Sequence, residues 1–311
     1  MNTVILGGAG FLGSHLVEKL FDRDDVTVFD NLSRGADSAR NLLEIKDKCQ
    51  VVVGDTQDFA KLRTVIKDGV GVVYHFAALS SHRNALERPL DYLKDLMGTA
   101  NVLEAARLCN PTPLVVLASS NKVYGKQECP WREDNTPKPE GPYALEKITS
   151  EQMCEMYDKY FGVRCVVVRY HHVAGKRSNP ELVLSIFTEL AIKGIPLEVH
   201  GRFDKDGEFT SCSADYTHVD DAIRATILAA DNYKGFDVFN IANEKLTLVS
   251  HIAEEVKRLL DSKSVIVNVP MLPHETLVHH SDISKAEEKL RFVAEIPVEV
   301  AIKEYIEWRL K

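Results

Sequence analysis

The chain has 311 residues, 45% of them hydrophobic and 27% charged, with a formal net charge of −8. Such a composition is ordinary for a soluble globular protein, and the chain is long enough to bury a sizeable core. The negative balance argues against non-specific nucleic-acid binding, and no window of about 18 apolar residues offers a membrane span.

From the amino end, Thr3–Leu6 is a short apolar run ending in glycine, and Phe11–Leu20 has helical spacing. The apolar start lacks a basic leader segment, so it does not read as a signal peptide. Strands follow at Val26–Phe29, Val51–Val53, Val70–Phe76 and Leu114–Ala118, with a helix expected over Asp91–Leu108. Tyr143–Phe161 reads as a helix and Val163–Val168 as the next strand. Beyond Arg169 the rhythm loosens: Arg202–Ala214 is polar and aperiodic and reads as a loop. A helix is expected over Val219–Ala230, a strand over Phe236–Ile241 and a helix over Leu248–Leu260. Short, almost wholly apolar strands alternating with helices predict an α/β protein, a Rossmann-type doubly wound parallel sheet with a smaller C-terminal substrate lobe. The expected partition is residues 1–174 for the sheet domain with a return at about 215–242, and 175–214 plus 243–311 for the lobe.

Three motifs carry chemistry. Gly7, Gly10 and Gly13 are spaced G-x-x-G-x-x-G between a predicted strand and a predicted helix. Glycine lets the backbone approach a pyrophosphate, and the helix start offers free N–H groups and a positive dipole end. Asp30, at the end of the second strand, is placed to bond ribose hydroxyls and to repel a 2′-phosphate, which favours NAD over NADP. Arg34 is the nearby group that would accommodate such a phosphate. A structural strand–turn–helix is the bland alternative.

The second motif is Tyr143 and Lys147, which at i and i+4 share a helix face. Ionising a tyrosine near neutrality requires a fall of about three pKa units, and a lysine charge ~4 Å away supplies roughly that much. Tyr143 would then take a proton from an alcohol as hydride leaves. The third is Ser119-Ser120-Asn121 at the carboxyl end of a strand, the edge where open α/β sheets bind ligands. Taken alone, it reads better as a polar loop after a core strand.

Together these pieces resemble the extended short-chain dehydrogenase/reductase family, the NAD-dependent nucleotide-sugar epimerases and dehydratases. The resemblance spans nearly the whole chain and includes Gly54-Asp55, His75-Phe76-Ala77-Ala78, Gly98–Ala106, Arg169-Tyr170 and Val219-Asp220-Asp221. It implies Ser120, Tyr143 and Lys147 as the catalytic set. It implies NAD contacts at Gly7, Gly10, Phe11, Leu12, Gly13, Asp30, Asn31, Asp55, Thr56, Ala77, Ala78, Tyr143, Lys147, Tyr170 and Val173. It implies substrate contacts at Ser80, Ser120, Asn121 and His172, a nucleotide-sugar substrate, and a homodimer paired through Asp91–Leu108 and Tyr143–Phe161; Arg202 is a further candidate substrate contact by its place in the lobe. Dehydratases and decarboxylases of the family place acidic residues after the catalytic Ser or Thr, where this chain has Asn121 and Lys122; the Asn-Lys-Val-Tyr-Gly run is similar to the CDP-tyvelose 2-epimerase branch.

Three departures fall in the substrate lobe. His172 replaces a usual Asn, Ala214 a usual Arg, and Leu272 before Pro273 another usual Arg, so Arg177, Lys193 and Arg202 are the candidate replacements for diphosphate binding. The pairs His171–His172 and His279–His280 are not expected to bind metal, because adjacent strand residues face opposite ways and no Cys or Asp cluster supports them. Cys49, Cys109, Cys129, Cys154, Cys165 and Cys212 form no C-x-x-C pair and read as reduced thiols of a cytoplasmic protein. The alternatives are an NAD-dependent dehydrogenase or ketoreductase of a sugar or sugar nucleotide, a 4,6-dehydratase, and a regulatory protein that binds NAD without turnover.

Overall fold

The structure is a computed structural model and describes residues 1–80, 82–232, 235–272 and 275–311. Through residue 170 the chain alternates strand and helix. The elements are β1 (Asn2–Leu6), α1 (Phe11–Leu20), β2 (Asp25–Asp30), α2 (Ala36–Ile45), β3 (Gln50–Val53) and α3 (Phe59–Leu62). They continue with β4 (Val70–His75), α4 (His82–Glu87), α5 (Pro89–Arg107), β5 (Leu114–Ser120), α6 (Pro142–Phe161) and β6 (Cys165–Tyr170).

The second half runs β7 (Val173–Ala174), α7 (Val183–Ile192), β8 (Leu197–Phe203), β9 (Phe209–Ser211), β10 (Ser213–Asp215) and β11 (Thr217–His218). There follow α8 (Val219–Asn232), β12 (Asp237–Ile241), β13 (Leu246–Leu248) and α9 (Val249–Leu259). The last elements are β14 (Ile266–Pro270), β15 (Val278–His279), α10 (Ser284–Leu290) and α11 (Val298–Arg309).

One compact unit comprises residues 1–125, 133–170 and 223–239. Its sheet has the order β12-β6-β5-β4-β1-β2-β3, and β1 to β6 pair in parallel. Every residue of β6 is buried, and β1 and β5 are nearly so. These Val-rich runs are what a sheet covered on both faces demands, since neither face can be polar. Val4, Leu6, Val73, Val115, Leu117 and Val167 form a core with Val102, Leu103 and Ala106 of α5. The strand order reverses between β4 and β1, so the carboxyl ends of β1, β2, β4 and β5 open onto the crevice where such sheets bind ligands.

The other unit comprises residues 126–132, 171–222 and 240–311. Segment 126–132 belongs here because Trp131 donates its backbone N–H to His280 (2.9 Å) and bridges to Ser281. Leu184 and Phe187 of α7, Leu197 and Val199 of β8, Ile252 and Val256 of α9, and Ile302 and Ile306 of α11 form its core.

The loop expected over Arg202–Ala214 is instead largely a β-hairpin. Arg202 pairs with Thr210 and Phe203 with Phe209. Asp204 Oδ1 accepts the N–H groups of Asp206 and Glu208 (both 2.9 Å), and Gly207 takes φ +85° to close the turn. The end of β8 is exposed at Arg202 and Phe203, so the ribbon has no apolar alternation for a sequence reading to detect.

Candidate active site

The glycine loop lies between β1 and α1. Gly7 adopts φ +78°, and a Cβ there would lie 2.7 Å from the Ala77 nitrogen; one on Gly13 would lie 2.3 Å from the Gly7 carbonyl oxygen. The first helical bond runs from Ser14 N to Gly10 O (3.1 Å), and no side chain caps the helix. The N–H groups of the first turn, at Phe11, Leu12 and Gly13, have no partner within the helix and are available to an anion. A backbone cradle that any side chain would fill, at an uncapped helix start, fits the pyrophosphate of a dinucleotide.

Asp30 closes the next edge. Its Oδ2 accepts Ala9 N–H (3.0 Å) and its Oδ1 Leu32 N–H (2.8 Å), while burial raises its pKa above the ordinary carboxylate value. Asn31 donates to Asp55 (2.8 Å), and Asn101 of α5 donates to the Thr56 carbonyl (2.9 Å). An added Cβ on Gly98 would lie 2.5 Å from Thr56 Oγ1, so α5 lies tight against this loop. Arg34 donates to Ser80 Oγ (2.8 Å), and Ala77 packs against the apolar core of the unit. Tyr170 is buried with its hydroxyl 2.6 Å from Thr226. Expected cofactor contacts from β1 through β6 therefore lie within one unit, and Val173 lies in the other.

Ser120 ends β5 and is followed by a short 3-10 turn over Asn121–Tyr124. A buried ion pair braces this turn. Arg169 of β6 donates to Glu151 of α6 (3.0 and 2.6 Å) and to the Tyr124 hydroxyl (2.8 Å), and Ser119 donates to the same carboxylate. The effect is to fix the strand end that carries Ser120. Asn121 is buried, its Oδ1 3.4 Å from Ser120 Oγ, and its amide nitrogen has no protein partner.

Tyr143 lies in the first turn of α6 and is only 8% exposed, with Tyr92 edge-on at 6.2 Å and Ser120 acting to lower its pKa. Lys147 is buried one turn on, its ammonium 5.8 Å from the Tyr143 ring centre. The three expected residues are thus brought together. The expected acidity of Tyr143 is corrected, however. Burial raises its pKa above 10.0 more than Lys147 and Ser120 lower it. Burial is the largest cause, and a smaller one is that Lys147 is not a lone charge: its Nζ lies 3.2 Å from Glu146 Oε2, and the Asp95 carboxylate also acts on Lys147. Sequence reading had singled out neither acid. The marker for Glu146 would be its pairing with Ser150 at i and i+4 on α6; Asp95 on α5 instead accepts the Leu79 N–H (2.8 Å), which leaves no such spacing.

In the second unit, His172 follows β6 in a turn with φ +34°, not on a strand as the opposite-face argument assumed. Asp215 is fully buried, with His171 and His280 nitrogens each 3.7 Å from its carboxylate oxygens and Ser281 N–H donating at 2.7 Å. His172 stands edge-on to His279 (4.9 Å), which stands edge-on to Trp131 (5.4 Å). Among the described residues no three His, Cys, Asp or Glu side chains converge as a metal site requires. Ala214 is buried in β10, Leu272 is exposed, and Pro273 lies outside the described residues. Arg202 is exposed on β8, Arg177 is buried, and Lys193 ends α7.

Residues 3–242 match the model of the NAD dependent epimerase/dehydratase family. The chain is 31% identical to a UDP-N-acetyl-alpha-D-glucosaminuronate decarboxylase of Bacillus cytotoxicus, covering 98% of this chain and 96% of that one. It is 30% identical to a putative UDP-glucose 4-epimerase of Methanocaldococcus jannaschii, covering 98% and 97%. The structure of a UDP-glucuronic acid 4-epimerase from Bacillus cereus, in complex with UDP-glucuronic acid and NAD, superposes with a TM-score of 0.87 at 25% identity over 100% of both chains. The chain therefore belongs to the NAD dependent epimerase/dehydratase family, as an enzyme of the extended short-chain dehydrogenase/reductase type whose cofactor is NAD.

Proposed function

We propose that this enzyme epimerises a nucleotide-activated sugar, with Tyr143 as the base, Ser120 as the hydrogen-bonding partner of the reacting oxygen and Lys147 as the cation beside them. The observation that carries this is that Ser120 ends β5 and Tyr143 and Lys147 stand buried one turn apart on α6, the ammonium 5.8 Å from the phenol ring centre. Bound NAD supplies the hydride acceptor and donor. Tyr143 takes the proton of the sugar hydroxyl at its phenolic oxygen as the carbon is oxidised, and returns it when the carbon is reduced from its other face. Ser120 Oγ orients the reacting oxygen. The unpartnered Asn121 amide, beside Ser120, is suited to a sugar oxygen. One base suffices because the proton removed is the proton restored.

The residues after Ser120 favour this reading over elimination or decarboxylation, since Asn121 and Lys122 supply no further acid there. Incubation with NAD and a panel of UDP-sugars and UDP-uronic acids, followed by proton NMR, tests it. An epimer formed without net NADH is the expected result. Accumulated NADH would make the enzyme a dehydrogenase, and released carbon dioxide a decarboxylase.

For the diphosphate we take Arg202, solvent-facing on β8, as the replacement cation. Arg202→Ala should raise the dissociation constant of the nucleotide about tenfold, with NAD affinity unchanged, read by calorimetry. We also propose a homodimer through α5 and α6, which pack together and expose Leu90, Met97, Leu145, Tyr160 and Phe161. An apolar surface of that kind needs a cover, and light scattering at micromolar concentration reads the mass. No described helix is long and apolar enough to cross a membrane, and the six cysteines are free thiols, which fits the cytoplasm.

A further inference from the structure

Glu146 has no part in the chemistry above, yet it is buried to 1% beside Lys147. A buried acid must be paired or it would not stay there. Its Oε2 lies 3.2 Å from Lys147 Nζ, and its Oε1 is 2.9 Å from Ser150 Oγ. Ser150 Oγ is 3.2 Å from Thr99 Oγ1, which is 3.1 Å from His75 Nε2. All five side chains are buried.

The proton directions follow from counting. A carboxylate only accepts, so Ser150 gives its single proton to Glu146. The Ser150 oxygen must then take the proton of Thr99, and the Thr99 oxygen takes the N–H of His75 Nε2. His75 Nδ1, which has no partner, is left as the unprotonated nitrogen of a neutral ring. Burial and Lys147 together push the His75 pKa down to about 3, in keeping with that form. The chain His75, Thr99, Ser150 therefore points every donor toward Glu146. Lys147 completes the set from the opposite side.

From this geometry we propose that Glu146 is a positioning residue: an anchored carboxylate that holds the Lys147 ammonium in place and limits how much of its charge Tyr143 feels. The proposal rests on Tyr143 and Lys147 acting together as described above. The groups that bear on this pair are Glu146 on α6, Asp95 on α5, His75 on β4 and Arg34 after β2. Of these, Glu146 and Asp95 are the anions acting on Lys147, and Glu146 touches it. Glu146 opposes ionisation of Tyr143, whereas Lys147 and Arg34 favour it.

Glu146→Gln keeps the shape and the Ser150 hydrogen bond but removes the negative charge, so the Lys147 field on the phenol is no longer offset. In the cofactor-free protein labelled with 13C at the tyrosine ζ carbon, and assigned with Tyr143→Phe, the Tyr143 titration should move down by about one pH unit. The acid limb of the pH–rate profile should move in the same direction. Should the glutamine disturb folding, Glu146→Ser removes the charge with less bulk and carries the same expectation. A folded variant whose Tyr143 titration coincides with the parent protein overturns the proposal. Because that titration needs neither substrate nor NAD, a wrong substrate assignment leaves it readable.

Discussion

Replacing Arg169 by methionine removes the guanidinium while keeping an unbranched side chain in a strand where every residue is buried. Glu151, itself 3% exposed, then loses its 3.0 and 2.6 Å hydrogen bonds and retains Ser119. Removing one partner of a buried pair costs about 3–5 kcal/mol, because the survivor stays desolvated. At about 2–4 °C per kcal/mol, the melting temperature should fall by roughly 10 °C. The Tyr124 hydroxyl loses its 2.8 Å donor as well. The turn behind Ser120 is then less fixed, and turnover should drop about tenfold even at temperatures where the variant is folded, the scale of a small misplacement of a reacting group. Urea melts of Arg169→Met, Glu151→Leu and the double variant form the assay. The double variant should recover most of the loss, since an apolar pair carries no stranded charge. A single-variant cost below about 1 kcal/mol, or a double variant worse than both singles, would refute the reasoning.

Tyr143→Phe should lower turnover by about 10²–10⁴-fold while NAD still binds, read by rate and cofactor titration. Gly13→Ala places a methyl 2.3 Å from the Gly7 oxygen, so NAD affinity should fall at least about tenfold while circular dichroism stays near normal. Asp95 gives a pH signature, since burial raises its carboxyl from 3.8 to about 6. The folded state therefore holds this proton more tightly than the unfolded one, so stability is lost as pH rises from about 3.8 to about 6. That loss amounts to about 3 kcal/mol. Asp95→Asn should stabilise the protein at pH 8 and have little effect at pH 3.5, read by thermal melts at both.

What was legible in the sequence was what the backbone demands. Gly7 must be glycine because its φ is +78° and Ala77 stands against it, and that requirement leaves a letter in the sequence. Tyr143 and Lys147 were legible because one helix supplies both, and the buried strands because covering both faces forces an apolar run. The sign of the Tyr143 shift was not, because it depends on how deeply the phenol is buried and on Glu146, neither visible in a spacing. The chain from His75 to Glu146 draws on β4, α5 and α6, so no local pattern announces it. The hairpin at 202–210 was missed for the opposite reason. Its exposed end imposes no pattern at all.

The three departures that the family resemblance singles out, at His172, Ala214 and Leu272, fall in the second unit, and Ala214 is built into its core. Ala214 pairs with Thr247 on one side and His279 on the other, and its methyl packs in the core with Leu184, Phe187 and Tyr216. A guanidinium at that position would lose its solvation among those side chains, so an arginine there would not by itself supply a clamp. The neighbouring Asp215 lies among His171, His280 and Ser281, and burial there is offset by those partners, which hold its carboxyl at about 2. Position 214 and its surroundings are thus built as a closed polar and aromatic cluster on one side and an apolar core on the other. A diphosphate ligand would have to find its cations elsewhere in this unit. The solvent-facing strand end at Arg202 places a guanidinium where its charge costs little to hold, which is the physical ground for preferring replacement of the usual arginines over a substrate of lower charge.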